Sequence, residues 1–261
     1  IYSNIKSEPS IRVDLDGVGY KIWSVTDKKT VQNFVSGLVS KTLVIADGHH
    51  RYKTALKYAE NHNSHDSKHV MVTLVNSKNP GMQIMPTHRL LKGIEKSIMD
   101  IKKEVEQYFH YKEFKGADKL LHKMDMLENQ KSIIGLFHKE TNTGLLLEFK
   151  SWDILESKMS DQSKSLRELD TNILHSFLLK DVFNIDTNRQ EDLKHLSYLR
   201  GNKPALEMLK KEENYDVACF VNPPSLDDVF SIAESGETMP QKSTYFFPKV
   251  YSGLITRCFN K

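Results

Sequence analysis

Short apolar runs, each cut off by glycine, proline or asparagine, alternate in no strict order with longer stretches of helical spacing. A chain patterned this way can fold only as a mixture of short strands and amphipathic helices. TLVIA (42–46), VMVTLVN (70–76), MQIMPTHRL (82–90) and YDVACFVNP (215–223) have strand length. SIRVDLDGVGYKIWSV (10–25) alternates about Asp16–Gly17, and SIIGLFHKETNTGLLLEF (132–149) about Asn142–Gly144. Both predict hairpins. Val31, Phe34, Val35 and Leu38 have helical spacing, as do Ala55, Leu56 and Ala59. Further helices are expected over 93–110, 114–129, 164–184, 204–214 and 225–236, the last with Ser225 as N-cap and Gly236 just past its end. A loop and a final strand close the chain over 239–259. Strands and helices follow no regular βαβ order, so the class is α+β or mixed α/β. Three parts are expected: a strand-loop-helix core over 1–92, a helix-helix-hairpin lobe over 93–155, and a C-terminal α/β part over 156–261 that returns to the core. ESKMSDQSKS (156–165) is the most linker-like stretch.

Charge narrows the function classes. The 261 residues carry 37 Lys+Arg against 34 Asp+Glu, a net +3. Such a balance argues against a dedicated nucleic-acid surface. No apolar stretch has the length of a membrane span, and the start of the chain has no secretory pattern. Cys219 and Cys258 are too few for a disulfide framework and read as two buried thiols in a reducing cytoplasm.

The chemistry concentrates where an apolar run stops at Asp47. Asp-Gly-His-His-Arg follows, and helical spacing begins at once. A helix start presents unpaired N–H groups and a partial positive charge. Gly48 permits a tight turn and close backbone approach. Arg51 can grip a phosphate through two N–H groups. His49 and His50 can donate hydrogen bonds or act as acid or base, and Asp47 can accept a proton, orient a histidine or hold a metal. Together these residues describe a phosphate cradle with acid–base groups built in. The plainer reading makes Asp47 a helix cap and leaves His50 and Arg51 in solvent. Paired histidines beside an arginine weigh against it, because they repel one another and bury nothing.

Two more constellations carry donors. Pro86–Arg89 brings Thr87, His88 and Arg89 to a strand end, where His88 and Arg89 can join a phosphate site or bind a carboxylate. Lys242, Ser243 and Thr244 lie in a loop between prolines. GxxxxGK[ST] is absent, so this is no Walker A loop, yet a lysine beside two hydroxyls can contact phosphate oxygens. The competing reading of each is a structural loop. His62, His65 and His69 read as a surface loop, so no metal site is expected there. Asp170 reads as a helix cap, His175 as a packing residue, and Trp23 and Trp152 as core or edge aromatics.

IADGHHRYKTAL resembles the signature of the family numbered 1015 among the domains of unknown function. DLDGVGYKIW, MQIMPTHRL and MPQKSTYFFPKVYSGL extend the resemblance along nearly the whole chain, which looks like the C-terminal portion of that family's proteins. More distantly, Asp-Gly-His-His-Arg resembles the nucleotide-binding motif of the ParB/sulfiredoxin superfamily, which includes free serine kinases. The reactive cysteine of sulfiredoxins is replaced here by His49. The resemblance implies a ParB/sulfiredoxin-like core with an added helix-hairpin lobe. It also implies a phosphotransferase that uses serine or phosphoserine, with ATP, ADP or pyrophosphate and Mg²⁺. Expected catalytic residues are Asp47, His49 and His50. Expected binding residues are Gly48, Arg51, Thr87, His88, Arg89, Lys242, Ser243 and Thr244. The alternatives are a ParB-like nucleotide- or DNA-binding module and a small-molecule phosphatase.

Overall fold

Strand-like runs become strands only where another strand completes their hydrogen bonds, and this condition separates the two halves of the structure. The computed structural model describes residues 7–15, 17–62, 64–128, 130–200 and 203–259. The chain divides into two units, residues 1–72 with 250–261 and residues 73–249.

In the first unit the expected hairpin forms. β1 (Ile11–Leu15) pairs antiparallel with β2 (Val18–Ile22) from Ile11↔Ile22 to Leu15↔Val18. Gly17 takes a left-handed φ of 76°, while Asp16 lies outside the described residues. α1 (Lys28–Leu38) starts at Asp27, whose carboxylate accepts from Thr30 N–H at 2.8 Å. α2 (His49–Asn61) follows Gly48. The tail from Val250 belongs to the same unit. Arg257 binds the Asp66 carboxylate at 2.9 Å and the His69 carbonyl at 2.6 Å, and Tyr251 meets Tyr20 edge-on. Two expectations fail here. Residues 42–46 are neither a strand nor buried, with Leu43 59% and Ile45 39% exposed. Residues 70–76 form no strand either. No ladder partner reaches either run among the described residues, and without one an apolar run stays extended and hydrated.

The second unit is a three-layer α+β assembly, in agreement with the expected class. Among the described residues its main sheet has the order β5-β7-β6-β9-β4-β8. The strands are β4 (His88–Leu91), β5 (Phe109–Lys115), β6 (Ile133–His138), β7 (Thr143–Phe149), β8 (Leu196–Leu199) and β9 (Val217–Val221). Every pairing in it is antiparallel. Alternation along each strand sends successive side chains to opposite faces. Leu91, Ile134, Leu136, Val217 and Cys219 pack under α3 (Ile98–Val105) and a π-helical stretch (Leu174–Val182). Leu90, Phe137, Ala218 and Phe220 pack against α4 (Ala117–Asp125) and α8 (Ala205–Leu209). Gly135 sits under α4, where an added Cβ would press on Met124 and Phe220.

Several expected elements change in detail. The helix expected over 93–110 shortens to α3, and Phe109–Lys115 becomes the edge strand β5. The run 82–90 breaks at Pro86, which has no N–H to give a ladder. Its first part, β3 (Gln83–Met85), pairs with β10 (Tyr245–Phe247) in a separate two-stranded sheet. The helix expected over 164–184 divides into α6 (Lys164–Arg167), α7 (Asp170–Ile173) and the π-helical stretch. α5 (Trp152–Lys158) precedes them, and α9 (Leu226–Glu234) has the expected Ser225 cap. Cys219 is buried as expected, but Cys258 is exposed. Trp152 is 49% exposed and so is no core residue. No helix among the described residues is long and apolar enough to cross a membrane.

Candidate functional site

The mouth of α2 is built around Gly48. Its φ of 92° and ψ of 23° are left-handed, which an L side chain adopts only at a cost. Asp47 is not the cap of the helix: among the described residues no side chain caps α2, and Gly48 occupies the cap position. The first-turn N–H groups therefore keep the partial positive charge that attracts anions. Arg51 folds back over this turn. A Cβ on Gly48 would lie 3.0 Å from Arg51 Nη2. The guanidinium is 3.7 Å from the Asp47 carboxylate, and its Nη1 donates to Ser252 Oγ at 2.9 Å. With both side chains more than half exposed, the Asp47–Arg51 pair adds little to stability. His49 and His50 stand exposed on the first turn. Asp47, Gly48 and Arg51 thus come together, and Ser252, which the sequence did not single out, joins them.

The second unit gathers another part of the expected set. The β3–β10 ladder ends at Met85↔Tyr245. Thr87 and Ser243 each lie two residues beyond that pair, so the Thr87–Arg89 segment and the Lys242–Thr244 loop run side by side. Ser243 is buried and its hydroxyl donates to the Pro240 carbonyl at 2.7 Å. Exposed Lys242 has a left-handed φ of 61°.

Arg89 is the centre of this region, with 0% of its surface exposed. Its Nη1 donates to the Thr87 carbonyl, and its Nη2 lies 3.2 Å from the Gln241 carbonyl and 3.0 Å from His175 Nε2. A guanidinium only donates, so His175 Nε2 must accept. The proton of His175 then sits on Nδ1, which faces Thr187 Oγ1 at 3.3 Å. Burial, reinforced by the Arg89 charge, pulls the His175 pKa down to about 3, and the ring is neutral at pH 7. Burial also lowers Arg89 to about 10, so the guanidinium stays charged there. His88, next along β4, points to the other face of the sheet. It meets Phe220 edge-on and accepts from Val221 N–H at 3.3 Å. Its pKa also falls to about 3, first through burial and then through Arg89. The structure therefore groups Thr87 and Arg89 with the 241–244 loop and turns His88 away from them.

Sequence reasoning missed His175, Tyr198 and Gln241. Arg89 lies 5.5 Å from the centre of the Tyr198 ring. The only hint was an Asp and a His inside the apolar helix LDTNILHSF. Among the described residues, no group of three or more histidine, cysteine or acidic side chains is placed to hold a metal ion. Two surface depressions, of about 500 and 360 Å³, lie elsewhere in the second unit. One is lined by Lys96, Asp100 and Glu104 and the other by His138, Lys139 and Asp216, and neither contains an expected site residue.

Solved structures give distant likenesses. A conserved hypothetical protein from Pyrococcus furiosus aligns over 85% of this chain and 84% of its own, at 12% identity and a TM-score of 0.42. A free serine kinase in complex with AMP aligns over 85% and 81%, at 13% identity and a TM-score of 0.42. A mutant free serine kinase in complex with ADP aligns over 85% and 82%, at 13% identity and a TM-score of 0.44. At these values the likeness assigns this chain neither substrate nor mechanism. No curated protein matches the chain significantly. The family profile described as "Protein of unknown function (DUF1015)" matches residues 1–172, and the chain belongs to that family.

Proposed function

We propose that this protein is a phosphotransferase that seats the phosphate groups of a nucleotide or of pyrophosphate at the mouth of α2. The observation that carries the reading is the uncapped, glycine-led start of α2, with Arg51 folded over it and Asp47 alongside. Such a turn offers backbone N–H groups and a guanidinium to phosphate oxygens. Phosphoryl transfer asks mainly for position and positive charge, with one base for the acceptor hydroxyl. Asp47 is the proposed base, and His49 or His50 supplies a proton to the leaving group. Gly48 and Arg51 hold the donor. In the second unit, Thr87, Arg89, Lys242, Ser243 and Thr244 are the further proposed binding groups; the His88 ring, which faces the opposite side of the sheet, is not among them. Serine is the acceptor that the motif resemblance implies. Mg²⁺ would be held chiefly by the donor's own phosphate oxygens and by water, with Asp47 as the carboxylate at hand. It would neutralise phosphate charge during transfer.

The test is incubation of the protein with ATP, ADP or pyrophosphate, Mg²⁺ and serine, followed by analysis for phosphoserine. Asp47→Ala is expected to cut turnover by about 10²-fold or more. Arg51→Ala is expected to weaken donor binding, and each variant should keep stability within about 0.5 kcal/mol because both sites are exposed. Release of inorganic phosphate without phosphoserine would make the protein a phosphatase. Absence of any turnover or nucleotide binding would end the reading.

A further inference from the structure

We propose that the second unit contains an oxyanion seat of its own at Arg89, walled by His175, Tyr198 and the Gln241–Thr244 loop, that takes the carboxylate or phosphate group of a small ligand. The inference deepens the reading above, and rests on it for the kind of ligand. Its basis is an unmatched charge. Arg89 is wholly buried, and its hydrogen bonds go to two carbonyls and one neutral imidazole. No acidic side chain pairs with it among the described residues. Cys219, opposite it in the ladder, is a thiol whose pKa burial pushes up to about 12, so it supplies no negative charge at neutral pH. Arg89 Nε–H is buried and has no acceptor among the described residues.

A buried cation without a counter-charge is among the most expensive arrangements a core can hold. The fold does not require it. The row that contains Arg89 continues through Cys219 and Leu136, and an apolar side chain would continue it without any charge to bury. The cost becomes intelligible if an anion completes the site. Nε–H and the adjacent Nη2–H share the edge of the guanidinium that grips a carboxylate or phosphate through two parallel bonds. Nε–H is vacant, and the Nη2 contact to the Gln241 carbonyl, at 3.2 Å, is the longest of the three that Arg89 makes to hydrogen-bond acceptors through its Nη groups. An arriving oxyanion takes both positions and displaces that carbonyl. His175, held neutral first by burial and then by the Arg89 charge, keeps the guanidinium plane fixed without cancelling its charge.

The experiment is thermal unfolding of the full chain in an anion-poor buffer, with and without inorganic phosphate, pyrophosphate or acetate, on the wild type and on R89M, R89K and R51A. The wild type is expected to gain several degrees in Tm with phosphate or acetate. R89M should unfold no lower than the wild type without anion and should lose the response, with affinity weakened about tenfold or more. R89K, which keeps the charge but loses the two-pronged edge, should retain only part of it. Acetate acting as well as phosphate would mark the seat as a carboxylate site; phosphate acting alone would mark a phosphate site. If R89M lowers Tm in the absence of anion and responds to anions as the wild type does, Arg89 is a structural residue and the proposal is overturned. Should R89M not fold, the Arg89 Nε–H resonance in the wild type decides: no shift on titration with phosphate or acetate overturns the seat. A pyrophosphate response lost in R51A but intact in R89M would keep the function proposed above and remove this inference. The reverse pattern would keep the seat and remove the role of the α2 mouth.

Discussion

Gly48 has two reasons to be glycine, and they have separate consequences. Its left-handed backbone costs a side-chain-bearing residue about 1–2 kcal/mol. A Cβ would also meet Arg51 Nη2 at 3.0 Å, at the free end of a flexible side chain that can move aside. Gly48→Ala is therefore expected to destabilise the first unit by about 1–2 kcal/mol in urea unfolding followed by circular dichroism, and to displace Arg51 from the turn. Arg51→Ala removes only an exposed contact and should leave that curve in place. Equal curves for Gly48→Ala and wild type would mean the turn does not need its left-handed residue. This site was legible because its chemistry is written in consecutive residues. The Arg89 region was legible only in part. Thr87, Arg89 and the 242–244 loop stood out by residue type, but His175 lies 86 positions from Arg89 and nothing local joins them.

Elements were readable where their ends carry their own signals. In α9 the Ser225 hydroxyl accepts from Asp228 N–H at 3.1 Å, and the Asp228 carboxylate accepts from Ser225 N–H at 3.0 Å. Gly236 follows with a left-handed φ of 75°. Such a reciprocal cap satisfies two otherwise unpaired donors. Ser225→Ala is expected to cost about 1 kcal/mol, read as a lowered urea midpoint with an unchanged slope; no change would mean that solvent replaces the cap fully. Both hairpins were readable for the same reason, since a short turn fixes the register of its strands, although the second turns at 139–142, ahead of the expected Asn142–Gly144, and Gly144 lies inside β7. Runs 42–46 and 70–76 have the composition of strands and no ladder partner among the described residues, because pairing is a property of two segments and composition of one. β5 was hidden by its Lys and Glu residues. An edge strand carries such residues on its open side, where they discourage further pairing, and in the sequence they imitate a charged helix.

At the scale of the molecule, three buried groups set opposing pH dependences, and the count of protons decides between them. His88 and His175 have pKa values lowered from 6.5 to about 3, so between these limits the unfolded chain binds two protons that the folded chain does not. Their contribution is present above pH 6.5 and is lost as pH falls. Asp170 is the reverse. Burial raises it from 3.8 to about 7, against the lowering effects of Ser132 N–H at 2.6 Å and nearby Lys131. Between those values the folded chain binds one proton more than the unfolded, and stability falls as pH rises. From about pH 4 to 6.5 the difference is two protons against one. Stability should therefore rise with pH, by on the order of 1 kcal/mol per unit. Asp170→Asn removes the opposing proton, so the slope should steepen toward twice its value, with the largest gain in stability above pH 7, where the wild type must ionise a buried carboxyl. All three groups lie in the second unit, as does Trp152, and Trp23 in the first is the only other tryptophan. Urea unfolding of Trp23→Phe, followed by Trp152 fluorescence from pH 4.5 to 8, reads the second unit alone. A flat profile, or one that Asp170→Asn flattens, would show that these groups are hydrated in the folded protein and that the layer around Arg89 is more open than its packing implies.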